Sequence, residues 1–477
     1  MKKLCTVAGI FALGIVSACS DSSSTGGDGG QPPVDPPARA TLQVVHASSN
    51  APAVNVTADG AVAFAAVDYK ESPIPVTLAA GTTLDVGVDA ILPDGSTLTV
   101  LELPGQTFEG DMIYSVFAVG NVGDVGDTAL QAVAVTRSEF FVPSDIIRAT
   151  ALHAAAGAPE VDIYVAEAGL PIESLAPING ATPVAFGDSL GPLDLGEGTI
   201  QIRVTLAGDV DAIVFDSGPL ALSGGIDPII AAVDNTNAAS ESPVSILLVD
   251  RLGVSEVQDI MTEAAVRVTH AVPDVGEPVD VLVDDVIVVP DFDFTNVAGP
   301  LFLDAGSYVF QVALNGQVVI NGPTVDEDGD DVPPVSTDLL DGDYLDAIAV
   351  GSVAADNLGL LTEFDDRRRL ATAAKLRVIH ASPSTEDVDL YIVDEATVDI
   401  TNEDPFAAEV PYLFNSGFLE VTPGVYNIYV TPTGTKDKAI SVEGAELDAA
   451  GLYTVIARDP IAPDTALGLI LLDDAAP

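Results

Sequence analysis

The chain of 477 residues contains no tryptophan, only four histidines, and only two cysteines, Cys5 and Cys19, both within the first nineteen positions. From residue 20 onward there is therefore no thiol, which excludes a disulfide framework, a cysteine nucleophile and a cysteine metal site in the folded body. Export stays open, because domains of ordinary size bury an adequate core without disulfides. The missing tryptophan weighs against a sugar-binding platform, which relies on exposed aromatic rings, and the tyrosines fall mostly inside strand-like runs. Basic residues are also scarce, 17 against 72 acidic, for a formal net charge of −55. Such a surface repels nucleic acid and anionic lipid headgroups, keeps the chain soluble and collects cations. Salt screens its self-repulsion, so it suits salty surroundings. Helical periodicity is lacking as well: Val254–Ala265 is expected to form at most one short helix between domains.

What is present is a repeat. Leu42-Gln-Val-Val-His46, Ala149-Thr-Ala-Leu-His153, Val266-Arg-Val-Thr-His270 and Leu376-Arg-Val-Ile-His380 are four versions of one phrase. Each is followed by a Val-Asx strand carrying Asn55, Asp162, Asp280 or Asp389, and the copies lie about 110 residues apart. Two further landmarks recur. One is a glycine turn at Gly81, Gly198, Gly306 and Gly424 that leads into an alternating strand. The other is a turn before a tyrosine strand at Tyr114, Tyr344 and Tyr453; the second repeat has Gly225-Ile-Asp-Pro-Ile there instead, so its corner is expected to be the loosest. Hydrophobic residues make up 48% of the chain, enough for folded cores. Short strands broken by Gly, Pro, Asp and Asn turns predict an all-β chain of four tandem immunoglobulin-like, Greek-key β-sandwich repeats, with a small closed barrel as the competing solution. The repeats are placed at 41–137, 145–250, 264–365 and 373–473, with joints near 138–147, 251–263 and 364–374. Arg367-Arg368-Arg369, in the last joint, is expected to be solvated and salt-bridged to nearby carboxylates.

The first forty residues read differently. Met1-Lys2-Lys3 is basic, and Leu4–Val16 is apolar but too short for an ordinary membrane span. Val16-Ser17-Ala18-Cys19 resembles the lipobox of bacterial lipoproteins. That resemblance implies a signal peptide over 1–18 and lipidation of Cys19, with several acyl chains giving a firm anchor. Ser20 after the cysteine, by the same analogy, implies outer-membrane sorting. Residues 19–40, rich in Ser, Gly, Asp and Pro, read as a flexible tether. The repeat landmarks resemble a bacterial family of secreted repeats, domain of unknown function 4397, and His380-Ala-Ser-Pro383, Val388-Asp-Leu-Tyr391 and Pro423-Gly424-Val-Tyr426 carry the resemblance best. Asn55 departs from its pattern. The resemblance implies fold and export and brings no established chemistry.

Four candidate sites follow. Alternation puts His46, His153, His270 and His380 on the apolar row of their strands, so each ring is expected to point inward and bond nearby backbone. The charged row, with Arg148, Arg267 and Arg377, is expected to face solvent. The competing reading makes the histidines metal ligands, or bases paired with the aspartates that follow. The three tyrosines are expected to tie turn to strand as corner residues. Phe186-Gly187-Asp188-Ser189-Leu190-Gly191 matches hydrolase signatures, but Pro192 onward makes no helix and no partner block exists, so the match is read as chance. Asp326-Glu-Asp328-Gly-Asp330-Asp331 alternates carboxylates around a glycine as a calcium loop does, without the full loop pattern. The resulting expectation is a lipid-anchored envelope rod of non-enzymatic binding or scaffold modules. It has no resident cofactor, calcium apart, and meets an unidentified protein or polysaccharide at the cell surface. The alternatives are a calcium-dependent surface adhesin and an esterase using Ser189.

Overall fold

The computed structural model describes residues 38–322, 335–460 and 467–473. The alternation of apolar and polar residues becomes strand after strand, and among the described residues the one helix is the three-residue turn Ile172–Ser174. Val254–Val257, expected as part of a short helix, is instead the outermost strand of a five-stranded sheet. Its Val and Glu residues pair with Ile246–Val249, and that pairing overrides the weak helical pattern.

Each repeat is built on two main sheets face to face, not a closed barrel, and the third adds a two-stranded sheet of Gly306–Tyr308 and Thr337–Leu339. In the first, Arg39–His46 lies between Val76–Ala79, antiparallel, and Met112–Val119, parallel, with Gln131–Ser138 at the edge. The opposing sheet runs Ala61–Val67, Val54–Ala58, Thr82–Ile91, Thr97–Phe108. The third and fourth repeats keep this order. The second adds a fifth strand to its histidine sheet and shortens the other. Every repeat has its own buried core, for example Leu42, Val44, Val56, Val88 and Phe108 in the first.

The expectation that the charged row faces solvent is overturned at Arg267 and Arg377. Residues Ala38–Pro477 form one contiguous unit, and the histidine sheets pair repeat on repeat. Val45, Phe117 and Val119 pack against Leu152, Ala231 and Val233, joining the first two repeats. Ala271, Ile348 and Val350 pack against Ile379, Ile456 and Leu472, joining the last two. The histidine strand is thus buried on both faces, and the row expected to meet water lies at an interface. Arg148 remains near the surface, bidentate to Asp194 at 2.7 and 2.9 Å. Arg267 and Arg377 are buried, the latter at 0% exposure.

A charge cluster makes that burial tolerable. Asp346 receives Arg267 through two hydrogen bonds of 2.5 and 2.6 Å, and it also receives Arg377, which reaches Asp365 at 2.5 Å and Thr454 at 3.1 Å. Burial works to raise the Asp346 carboxyl, but the two guanidiniums override it and hold the group well below the usual carboxylate range.

The arginine-rich joint is also not solvated throughout. Arg368 is buried; it donates to the Ala51 carbonyl at 2.7 Å and pairs with Asp68, both in the first repeat. Arg367 lies 4.3 Å from the centre of the Tyr344 ring. The expected carboxylate partner exists for Arg368, but it comes from the far end of the chain rather than the joint alone.

Candidate functional site: the histidine corners

The four histidine rings are each 1–2% exposed and sit where the strand ends. In the first, third and fourth repeats Nδ1 accepts the backbone N–H two residues on, from Ser48, Val272 and Ser382, at 3.3 Å. In the first, second and fourth, Nε2 meets the carbonyl six residues on, Pro52 and Pro159 at 3.0 Å and Glu386 at 3.5 Å. A ring whose Nδ1 accepts an N–H is neutral with its proton on Nε2, and in the first and fourth repeats that proton is donated to the carbonyl. Burial drives the His46 and His270 rings down to about 4 and lowers His153 and His380. The inward placement read from alternation is what the structure has.

Sequence reasoning missed the second half of each corner. An aromatic ring stands edge-on to each histidine: Tyr69, Phe186, Phe294 and Tyr412, at 6.2, 6.3, 5.8 and 6.2 Å between ring centres. The next residue is left-handed in every copy, Lys70, Gly187, Thr295 and Leu413. Its N–H donates to the histidine carbonyl at 2.8–2.9 Å, while the carbonyl of the following residue accepts the histidine N–H at 3.0–3.1 Å. The edge strand is thereby buttoned to the end of the histidine strand.

This explains the hydrolase look-alike. Phe186-Gly187-Asp188 is the second repeat's copy of the button, equivalent to Tyr69-Lys70-Glu71, and glycine suits the left-handed position. Ser189 opens the strand Ser189–Gly196 and pairs with Leu152. Leu152 faces the first repeat, whereas His153, one residue on, faces its own core. Ser189 and His153 therefore point to opposite faces of the sheet, and no helix follows the serine.

The aspartates are also separated from the histidines. Asn55, Asp280 and Asp389 each accept, through Oδ1, the N–H of a neighbouring-strand residue forced to positive φ: Ala66 at 2.9 Å, Asp291 at 3.1 Å and Glu409 at 3.0 Å. Asp162 takes Asn179 and the Gly208 N–H, both at 2.8 Å. The departure at Asn55 is thus harmless, since an amide oxygen accepts this bond as a carboxylate does.

Two of the three corner tyrosines behave as expected. Tyr114 and Tyr453 accept the backbone N–H of Glu109 at 2.9 Å and Asp448 at 3.1 Å. Tyr344 does not belong with them. A left-handed residue sets the register in every repeat (Asp111, Gly225, Gly342, Ala450), and three residues later stand Tyr114, Pro228, Leu345 and Tyr453. Tyr344 is one place early, so it faces the other way and packs on Ala239 and Ala265. The corner of the second repeat, expected to be loose, holds buried Asp227 paired with Arg251 at 3.0 Å. Tyr308 and Tyr426 make a corner of their own, each hydroxyl donating to the carbonyl four residues back, Asp304 at 2.8 Å and Thr422 at 2.6 Å.

Cys19 and the acidic run Asp326, Asp328, Asp330 lie outside the described residues. Among the described residues no group of three or more His, Cys, Asp or Glu side chains converges to hold a metal ion.

No curated protein matches the chain. Among solved structures it is similar to the Bacillus anthracis TIE protein, at 11% identity and a TM-score of 0.13, over 88% of this chain and 68% of that one. The family described as domain of unknown function (DUF4397) matches residues 40–164 and 264–391. Each matched segment starts at the histidine strand of an odd-numbered repeat and ends in the Val-Asp strand of the next. These segments cover more than half of the sequence and contain all four histidines, and the chain belongs to the DUF4397 family.

Proposed function

We propose that this chain is an exported, lipid-anchored repeat protein of the bacterial cell envelope, acting as a non-enzymatic binding or scaffold array. The observation that carries the reading is the commitment of the four histidines. Each ring is buried and bonded to its own backbone or stacked edge-on to an aromatic, in four copies of one corner. The residue type best suited to acid–base chemistry at neutral pH is used here to fasten strands. The lipobox-like Val16–Cys19, the tether to residue 40 and the acidic surface support anchoring of a soluble body away from the membrane.

Expression in a two-membrane bacterium tests the reading. Wild type should take up a fatty-acid label and fractionate with the outer membrane, while Cys19→Ser should remain unlabelled and soluble. Pull-down with the mature chain should then recover the same envelope partner with Ser189→Ala as with wild type. Turnover of a nitrophenyl ester that Ser189→Ala abolishes would show an enzyme instead. A calorimetric calcium signal lost in a triple Asn variant of Asp326, Asp328 and Asp330 would shift the reading to a calcium-dependent adhesin.

A further inference from the structure

The first repeat contains a cavity of about 160 Å³ between its sheets, and we infer that it is a binding site for one small apolar molecule, an aromatic ring or a compact branched alkyl group. The pairing pattern shows why it exists. In every repeat the histidine pairs with an alanine on the next strand: Ala118, Ala232, Ala349 or Ala457. That alanine pairs in turn with Ala132 in the first repeat, but with Ile246, Leu360 and Leu469 in the other three. Those larger residues fill their cores. Where Leu360 is present, the matching space in the third repeat shrinks to about 10 Å³. The first repeat alone has a residue too small to close the gap.

The walls are apolar, with Val44, Val56, Val88, Leu103 and Phe108 among them. The polar groups at the wall are already engaged. The His46 ring bonds to Pro52 and Ser48, and the Tyr114 hydroxyl holds the Glu109 N–H. A ligand therefore meets mostly hydrocarbon in the depth of the site. The cavity reaches the surface at the edge of the sandwich, between Gln106-Thr107 on one sheet and Ala132 and Ala134 on the other; Gln106, Thr107 and Ala134 are exposed. An apolar cavity of about 150 Å³ stays dry and accepts benzene or xenon, which sets the ligand near six carbon atoms.

The test uses the full mature chain and fluorobenzene, followed by fluorine NMR and thermal unfolding. Wild type should bind saturably and gain melting temperature with ligand. Ala132→Leu, which gives the first repeat the residue type of the third and fourth, should fold, melt higher without ligand, and lose binding by about tenfold or more as the side chain takes the ligand's volume. Ala134→Leu, at the exposed mouth, serves if Ala132→Leu does not fold, and should slow or weaken uptake. The inference is overturned if wild type shows no saturable binding, or if a folded Ala132→Leu binds as wild type does. A rise in melting temperature for Ala132→Leu with no ligand uptake by wild type also overturns it, since the space is then a packing gap only.

Discussion

A buried imidazole is a liability in acid. The ordinary histidine value is 6.5, and burial takes His46 and His270 to about 4. Between those values the unfolded chain binds protons that the folded chain refuses. Stability is therefore intact above about pH 6.5 and falls as pH drops toward 4. At 1.36 kcal/mol per pKa unit each ring contributes a loss of order 3 kcal/mol across that window. Chemical denaturation of wild type and His46→Gln at pH 7.5 and pH 5 should show a variant that is less stable at the higher pH but loses less on acidification. Parallel losses in both proteins would mean that His46 does not sense the acid. The direction of these rings was legible because a strand's two-residue period leaves one choice once the apolar row is known. Their aromatic partners were not, because Tyr69, Phe186, Phe294 and Tyr412 arrive at varying distances and leave no fixed phrase. Tyr344 misled for a related reason: the register follows the left-handed residue, and only two of the four such residues are glycine.

At the scale of one element, the histidine strand has two different lives on its two faces. Its inner row builds the sandwich core, and alternation revealed that row. The outer row looked solvated because an arginine beside threonine reads as surface in any single strand. The acceptor that makes burial affordable, Asp346, lies on a neighbouring strand, and the covering sheet belongs to another repeat. Neither is visible from local pattern. Removing that acceptor is costly. Asp346→Asn leaves Arg267 and Arg377 short of counter-charge in a dry interface and should destabilise the chain by about 3–5 kcal/mol in urea unfolding. Replacing Arg267, Asp346, Asp365 and Arg377 together by Met, Leu, Leu and Met should cost much less, because no charge is then stranded. Equal losses in the two variants would argue that shape rather than charge holds this interface.

For the whole molecule, the count of repeats and their sandwich form were legible from four phrases and their spacing, but the association in pairs was not. Pairing rests on the apolar residues that share those outer rows with the charged ones, such as Val45 and Phe117 against Leu152 and Ala231, and such a match is recognised only when two distant strands are compared. A fragment of residues 38–138 leaves Val45, Phe117, Val119 and Val135 uncovered. It should self-associate in size-exclusion chromatography, whereas residues 38–257 should run as a monomer. A monomeric single repeat of undiminished stability would show the shared face to be dispensable. Arg368 adds an order of events. Its bond to the Ala51 carbonyl joins residues 317 positions apart. The entropy cost of closing a loop rises with its length, so short-range sandwiches form well before so distant a contact. That single guanidinium is in effect a clock hand: its arrival marks the moment when the chain has finished assembling, and a fluorophore and quencher placed across it would time the final step.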